Sequence, residues 1–250
     1  MMSAPPPLQK QVHKYRDVGA TYEERRYGSE HMEFYRRMRD EELTRVLQAE
    51  FGSRPGLEIL EVGCGTGPTL EHLATTLTQP HITGADLADE MLDQSRQRID
   101  DRELDVGLVK ASCHCLPFDT GTFDVVVATR FIHQFTHADK MRIVEEFDRV
   151  TKPGGLIIVE FYGRFFESLQ IRFTSLGKRK SKETYLSHYP SAREVREIIA
   201  AGFVFRPLRL VGSRVLLSVF GQGFVRRLTR LMRFPVLKAM VDEYFVVRRK

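Results

Sequence analysis

Apolar and polar residues alternate along most of the chain with two different periods. From Ser29 to Gly52 the apolar positions recur every three to four residues, which predicts a helix ending at a glycine. Five short apolar runs follow and predict strands: GLEILEV, HITGAD, DVGLVKA, FDVVVATRF and GLIIVEF. Amphipathic stretches, one from about Thr69 and others at ADEMLDQSRQRI and HADKMRIVEEFDRV, predict helices between several of these strands. Strands joined by helices imply right-handed crossovers and a parallel sheet.

The pattern changes after the fifth strand. A helix is predicted at SAREVREIIAAG, and two further strand-like runs, FVFRPLRLV and SRVLLSVFG, are joined by a Gly-Ser turn. The turn favours an antiparallel hairpin at one edge of the sheet. The predicted fold class is therefore α/β, with a doubly wound, Rossmann-like, seven-stranded and mostly parallel sheet that carries an antiparallel edge hairpin.

Composition and charge narrow the class of protein. With 250 residues, 42% of them hydrophobic, the chain suits one α/β domain with a full-sized core. The net charge of +5 comes from residues 204–250, which hold 11 Lys and Arg against two Asp and Glu. Three cysteines fit a reducing cytoplasm. Because MMSAPPPLQK lacks the apolar core of a signal peptide and no run approaches about 18 apolar residues, we expect a cytoplasmic protein, soluble or peripheral at a membrane.

The stretch ILEVGCGTGPTL places three glycines directly after a buried strand. Such a loop lets the backbone turn sharply and approach a nucleotide-like ligand at a helix N-terminus. The spacing departs from the dinucleotide fingerprint, because Pro68 stands where its third glycine belongs, and no Gly-Lys-Ser/Thr follows for a P-loop. Glu61 would repel a pyrophosphate but attract a cation, and Asp86, about 20 residues past the loop, can accept hydrogen bonds from ribose hydroxyls. These residues predict a cationic ligand with a ribose and no phosphate.

Four motifs in this order resemble those of the class I S-adenosyl-L-methionine-dependent methyltransferases, in the small-molecule, type 11-like group. LEVGCGTG is similar to the first motif of that family and GADLADEML to the second. ASCHCLPFDTGTFDVVVATRFIHQF looks like its loop and fourth strand, and RVTKPGGLIIVEF like the following helix end and fifth strand. The resemblance runs from about Tyr15 to Phe203 and implies S-adenosyl-L-methionine (SAM) as the cofactor.

The resemblance also assigns roles within the cofactor site. The glycines would line the methionine and ribose portions, with Glu61 near the amino group and Asp86 on the ribose. Ser112 and Cys113 occupy the adenine positions, where many relatives carry an acid and then a small residue. Thr129 would contact the methionine end. The predicted cofactor-binding residues are Glu61, Gly63, Gly65, Gly67, Asp86, Leu87, Ser112, Cys113 and Thr129.

We expect the chain to divide into three parts. Residues 1–52 form an N-terminal cofactor-covering segment and helix, and residues 53–220 form the methyltransferase domain. An acceptor lid is predicted at about 161–190, whose aromatic residues favour a small apolar or aromatic acceptor, and an extra packing helix is the alternative. Residues 221–250 form a basic amphipathic helix.

Methyl transfer to oxygen would need a base, and three histidines are candidates. His133 is the preferred catalytic residue, ahead of His137 and His188, although a histidine in FIHQF also suits a packed helix. O-methylation is favoured at this point, while C- and N-methylation, which need no such base, stay open.

The predicted basic helix is compatible with more than one binding partner. In FVRRLTRLMRF the apolar residues fall on one face and the arginines opposite. The apolar face can pack on the domain, or the helix can lie on an anionic membrane surface and give access to a lipid-like acceptor. Nucleic acid is disfavoured as a partner, because the Asn/Asp-Pro-Pro-aromatic motif of base methylation is absent. The oligomeric state is not decided by the sequence.

Two other functions compete with the methyltransferase. A catalytically silent SAM-binding or scaffold protein can use the same fold, and an NAD-dependent oxidoreductase is a weaker rival because of the glycine spacing. Cys113, His114 and Cys115 have no distant set of ligands, so no metal site is predicted.

Overall fold

A computed structural model of the protein describes residue 28 and residues 30–162, 192–207 and 243–250. Five α-helices and seven strands are found within these ranges. The helices are α1 (Glu30–Phe51), α2 (Pro68–Thr76), α3 (Asp89–Asp100), α4 (His137–Val150) and α5 (Ala192–Ala200). The strands are β1 (Glu58–Val62), β2 (His81–Asp86), β3 (Val106–Lys110), β4 (Phe123–Ala128), β5 (Thr151–Tyr162), β6 (Val204–Pro207) and β7 (Glu243–Arg249).

The strands form one sheet in the order β3-β2-β1-β4-β5-β7-β6. The first five are parallel to one another, and β7 runs antiparallel to both β5 and β6. The prediction of a Rossmann-like, mostly parallel sheet with an antiparallel edge pair is confirmed. The winding reverses between β1 and β4, and in such sheets the ligand crevice opens at that point, beyond the carboxyl ends of the strands.

The segment that pairs with β5 and β6 differs from the one that the sequence predicts for the antiparallel edge of the sheet. The sequence predicts a C-terminal helix over residues 221–250, but residues 243–249 form β7. The strand pairs along its whole length with β5, which satisfies its backbone, and Phe245, Val246 and Val247 are buried. Its basic end is also partnered, because Arg248 pairs with Asp148 and Arg249 donates to Glu50 at 2.6 Å. The second strand of the predicted hairpin and residues 221–242 lie outside the described residues.

Helices cover both faces of the sheet and bury its centre. β4 shows the arrangement, because all six of its residues are buried. Val125 and Val127 pack with α1 and α2 on one face, while Val126 and Ala128 pack with α4 on the other. A strand buried on both faces reads as a continuous apolar run, which explains FDVVVA. Within the described part of the chain, none of the helices combines the length and the apolar character needed to cross a membrane.

Close packing of α2 on β2 generates the first testable prediction. A Cβ added at Gly84 in β2 would lie 2.5 Å from Leu70 Cδ1, whereas at Gly107 in β3 it would come no nearer than 3.7 Å to a neighbour. We expect Gly84→Ala to lower the free energy of unfolding by roughly 1–3 kcal/mol through overpacking, and Gly107→Ala to leave it unchanged or slightly higher. Urea denaturation followed by circular dichroism measures both; equal midpoints for the two variants would contradict the expectation.

Candidate functional site

A cleft lies at the carboxyl ends of β1, β2 and β4, where the winding of the sheet reverses. It encloses about 920 Å³, counting the part that opens to solvent. Of the ten residues predicted to form the site, seven line this cleft. They are Glu61, Gly63, Gly65, Asp86, Leu87, Cys113 and Thr129.

The first two glycines of the loop have different structural roles. Gly63 has φ +74°, and a Cβ there would lie 2.1 Å from Phe131 Cδ2, so its bare backbone allows this ring to pack against the loop. Gly65 has φ +57°, but its Cβ would meet nothing within 4 Å. The space beside Gly65 belongs to the cleft, so a ligand can approach the backbone there.

Asp86 connects the end of β2 to the glycine loop. Its Oδ2 accepts a hydrogen bond from the Gly65 amide at 2.9 Å, and its Oδ1 accepts one from the Ala88 amide at 3.0 Å. Burial raises the pKa of Asp86, and the amide hydrogen bonds oppose that rise. Each carboxylate oxygen has a second lone pair, so Asp86 can orient the loop and still accept from a ligand hydroxyl.

Glu61 is a buried carboxyl at the end of β1. Only 1% of the residue is exposed, and its Oε1 accepts from the Thr129 hydroxyl at 2.8 Å. Its Oε2 has no hydrogen-bond partner among the described residues. Burial raises the pKa of Glu61 to about 8, although the hydrogen bond from Thr129 and the charge of Arg39 act in the opposite direction. A carboxyl held this way can gain a positively charged partner from a ligand in the cleft.

Two further predicted residues do not line the cleft. Gly67 precedes α2 with φ +81°, and a Cβ there would lie 2.4 Å from Ser95 Oγ. It therefore allows α2 and α3 to approach each other. The Ser112 hydroxyl accepts from the His114 amide at 3.3 Å, within a turn closed by a bridge between Ser112 and Cys115. For these two residues, direct ligand contact stays a prediction.

The two candidate bases that the structure describes, His133 and His137, also lie apart from the cleft. His133 is 8% exposed, in the 3₁₀ turn Ile132–Gln134, and does not line the cleft although Phe131 and Gln134 do. His137 contacts Glu197 Oε2 at 2.6 Å and Glu194 Oε1 at 3.1 Å, which connects α4 to α5. His188 is outside the described ranges. No histidine of the described residues lines the cleft.

The Cys-His-Cys segment separates its two thiols. Cys113 is buried in the wall of the cleft, and burial raises its pKa to about 12, whereas Cys115 is exposed. Among the residues that the structure describes, no group of three or more His, Cys, Asp and Glu side chains is arranged to hold a metal ion.

Sequence analysis missed a buried charge pair that α1 brings to the cleft. Arg39 lines the cleft with only 1% of the residue exposed, and its neighbour Asp40 is fully buried. Arg39 Nε and Nη2 donate to Asp40 Oδ1 at 3.0 and 2.7 Å. The signal was present in the sequence: Arg39 lies one helical turn from both Tyr35 and Leu43, which are core residues, so its position faces the sheet.

Comparisons with known proteins bear on the class of this site. A family model described as "Methyltransferase domain" matches residues 59–155. The curated "Ubiquinone/menaquinone biosynthesis C-methyltransferase UbiE" of Shewanella sediminis is 34% identical over 116 residues, which are 44% of this chain and 45% of the relative. The chain thus spans about half the length of the curated relatives it matches.

Two solved structures share the fold. Magnesium protoporphyrin IX methyltransferase (ChlM) from Synechocystis PCC 6803, with bound SAH, aligns with a TM-score of 0.62 at 14% identity, over 80% of this chain and 90% of that one. The [4+2]-cyclase SpnF aligns with a TM-score of 0.55 at 18% identity, over 84% of this chain and 80% of that one. At these identities the likeness shows the fold alone.

The matched segment contains β1 to β4 and the glycine loop, and so includes most of the cleft. It identifies residues 59–155 as a methyltransferase domain, and the resemblance of the motifs to the class I SAM-dependent methyltransferases is confirmed. SAM is the cofactor of this class. The cleft fits it, because Glu61 Oε2 lacks a partner among the described residues and the space beside Gly65 is open.

The raised pKa of Glu61 predicts how stability depends on pH. Between about pH 4.5 and 8 the folded state holds a proton on Glu61 that the unfolded state has released. The folded state then binds more protons, so the free energy of unfolding falls as pH rises through this window. We expect the free energy of unfolding of the wild-type protein to fall by roughly 2 kcal/mol between about pH 5.5 and 7.5. Glu61→Gln does not titrate at this position and should not show that fall. Urea denaturation of the cofactor-free proteins across this range measures it, and parallel pH profiles would contradict the assignment.

Proposed function

We propose that this protein transfers a methyl group from SAM to a carbon atom of a small aromatic, quinol-like acceptor. The observation that carries the proposal is the placement of Glu61 and Asp86 at neighbouring strand ends in one cleft, on either side of the glycine loop. A buried carboxyl suits a cationic amino group, and the second acid suits ribose hydroxyls. The match of residues 59–155 to a methyltransferase domain supports the same conclusion.

The residues of the cleft favour catalysis by positioning. When bound, SAM supplies an electrophilic methyl group on a sulfonium sulfur. Glu61, Asp86 and the loop would orient it, and the apolar wall of Leu87 and Met91 would exclude water. Transfer would break the bond between the methyl carbon and the sulfonium sulfur, leaving a neutral thioether, and would form a bond to the acceptor carbon. That carbon would then lose its proton to solvent, so no base need act before the transfer.

The choice of carbon over oxygen revises the preference drawn from the sequence. It is supported by the name of the curated relatives, which are C-methyltransferases, and by the position of His133 outside the lining of the cleft. An aromatic acceptor is supported by Phe131 and Phe135, both in the cleft wall, whose ring centroids are 5.0 Å apart at 60°. Such edge-on aromatic pairs suit a flat apolar ligand.

The predicted acceptor lid and basic helix fall mainly in residues 163–191 and 208–242, outside the described ranges. Their roles therefore stay predictions: the lid would complete the acceptor pocket, and the helix would pack on the domain or contact an anionic membrane surface. The names of the relatives in quinone biosynthesis suggest a lipid-like acceptor. Contact of the helix with a membrane surface would bring the protein close to such an acceptor.

The rival functions differ in what they demand of the same cleft. A silent SAM-binding protein would hold the cofactor without transferring its methyl group, and the cyclase among the structural neighbours illustrates that the fold does not determine the reaction. An NAD-dependent oxidoreductase would place a pyrophosphate on the glycine loop, whose spacing departs from the dinucleotide fingerprint at Pro68.

A transfer assay with isotope-labelled SAM tests the proposal. The protein is incubated with [methyl-¹³C]SAM and a panel of reduced benzoquinols and naphthoquinols, with and without isoprenoid tails. We expect a new carbon-bound methyl signal in the ¹³C spectrum, in the region that separates it from an oxygen-bound methyl. Asp86→Ala should reduce the rate about 10-fold or more, because the hydrogen bond to the glycine loop and the ribose contact are both lost.

Asp89→Ala is the matched control for this assay. Asp89 begins α3 only three residues later, but it is exposed and pairs with Lys110 at the surface. Its removal should leave the rate within about 2-fold. SAM binding without transfer to any member of the panel would favour the silent protein, and binding of NAD in place of SAM would favour the oxidoreductase.

A further inference from the structure

The chain turns sharply where it leaves β4, at Arg130. Arg130 has φ +52°, in the left-handed region that residues with a Cβ rarely adopt. Two other non-glycine residues of the described ranges have positive φ, Gln79 and Glu103, and both lie shortly after the end of a helix, where a left-handed residue is common. Arg130 instead follows a strand, at the carboxyl edge of the sheet. Such a conformation costs free energy and persists only where its surroundings hold it.

A buried carboxyl holds this turn. Glu160 lies near the end of β5, which runs beside β4, and its Oε2 accepts a hydrogen bond from the Arg130 amide at 2.9 Å. No part of Glu160 is exposed, and its Oε1 has no hydrogen-bond partner among the described residues. A buried carboxyl with an unpartnered oxygen is costly where an apolar residue could fill the same space. The packing of the core therefore does not explain Glu160, whereas its hydrogen bond to the strained backbone does.

The turn at Arg130 decides where the ring of Phe131 lies. Phe131 follows directly, and its ring packs on the bare backbone of Gly63, where a Cβ would lie 2.1 Å from Phe131 Cδ2. The centroid of the same ring lies 5.0 Å from that of Phe135. Both phenylalanines line the cleft and form its aromatic wall. Because a change of φ at Arg130 would redirect the next residue, the hydrogen bond to Glu160 fixes the position of this wall.

The glycine loop is held by other contacts. The amides of Gly63 and Cys64 donate to Ala85 O at 2.7 and 3.1 Å, and the Gly65 amide donates to Asp86. These hydrogen bonds tie the loop to the end of β2, which lies on the opposite side of β1 from β4 and β5. Loss of the contact between Glu160 and Arg130 would therefore disturb the aromatic wall and leave the loop attached to β2.

We propose that Glu160 is a positioning residue for the acceptor: it fixes the turn at Arg130 and, through that turn, the ring of Phe131 on which a flat aromatic acceptor packs. The inference rests on the proposed function, because it takes the acceptor to be aromatic. Glu160 does not line the cleft, so it acts through the backbone and not by touching a ligand. Its removal weakens acceptor binding and spares SAM binding, because the loop keeps its own hydrogen bonds.

Steady-state kinetics with SAM and 1,4-naphthoquinol test the assignment, together with calorimetry of SAM binding. We expect Glu160→Met to raise the KM for the naphthoquinol about 3- to 10-fold, the range expected from the loss of one hydrogen bond, and to leave the Kd for SAM within about 2-fold. Glu160→Gln keeps an oxygen that can accept from the Arg130 amide, so it should restore the KM to within about 2-fold of the wild-type value.

A double-mutant cycle measures whether Glu160 acts through Phe131. Phe131→Leu removes the ring and should raise the KM for the naphthoquinol by itself. If the ring is already displaced in Glu160→Met, its removal adds little, so the double variant Glu160→Met/Phe131→Leu should have a KM within about 2-fold of the higher single variant. Effects that multiply would mean that the two residues act independently, which contradicts the assignment.

Thr151→Val is the matched control, because it removes a buried hydrogen bond from the same strand. Thr151 begins β5, is fully buried and donates to Phe147 O at 2.6 Å. It lies at the other end of the strand from Glu160, so its loss should lower the stability and leave the KM within about 2-fold. If Glu160→Met does not fold, Glu160→Val replaces it, because a β-branched residue suits a buried strand.

A fluorine label tests the positioning step without any ligand. Phe131 is replaced by 4-fluorophenylalanine in the cofactor-free protein, and the ¹⁹F signal reports the surroundings of the ring. We expect the signal to shift or broaden in Glu160→Met and to return to its wild-type position in Glu160→Gln. Thr151→Val should leave it unchanged.

The outcomes separate this inference from the proposed function. A folded Glu160→Met variant with the wild-type KM overturns the role in acceptor binding, and one with the wild-type fluorine signal overturns the positioning of Phe131; both leave the proposed function standing. An equal loss of affinity for SAM and for the naphthoquinol also overturns the inference, because it indicates general damage to the cleft. A wild-type protein that binds no SAM, or that methylates no naphthoquinol, counts against the proposed function, and the fluorine signal then decides alone whether Glu160 positions Phe131.

Discussion

The burial of one carboxyl at the end of β1 constrains most of the structure around the site. A buried carboxyl is costly in its charged form, so the surrounding residues must supply hydrogen bonds or leave it protonated. Here Thr129 supplies one hydrogen bond, and the chain of polar groups continues through Thr69 to Arg39 and Asp40. These contacts join α1, α2 and β4 at one point beside Glu61.

The remainder of the cleft follows from the way the sheet is wound. Parallel strands place their carboxyl ends at one edge, and the reversal between β1 and β4 leaves a gap there that no helix fills. Asp86 links β2 to the glycine loop through the Gly65 amide, and Phe131 packs against the bare backbone at Gly63. The loop is thus held from both sides while the space beside Gly65 stays open. Gly63 allows the loop to pack, whereas Gly65 leaves space for a ligand.

The division of the chain between shared and particular parts bears on its chemistry. The family match covers residues 59–155, which contain the cofactor loop and the acids at the strand ends. The antiparallel pair β6 and β7, helix α5 and helix α1 lie outside it. Relatives with one fold differ most in the segments that cover the carboxyl edge, since loops and added elements can change while the sheet is kept. Phe131 and Phe135 of the cleft wall lie inside the matched segment, whereas Arg39 lines the cleft from outside it.

The sequence by itself determined the elements and the acids of the cleft, because those depend on local rules. Glu61 and Asp86 follow from their positions at strand ends around the glycine loop, and Thr129 follows from the resemblance of the motifs. Three features depended on tertiary structure. The pairing of β7 with β5 joins residues 81 to 93 positions apart, from Tyr162 with Glu243 to Leu156 with Arg249, which no local pattern specifies. His133 lies in a short 3₁₀ turn, whose side-chain directions are decided by the packing of its neighbours. Arg39 is charged, and only the polar groups that meet it across α2 and β4 make its burial stable.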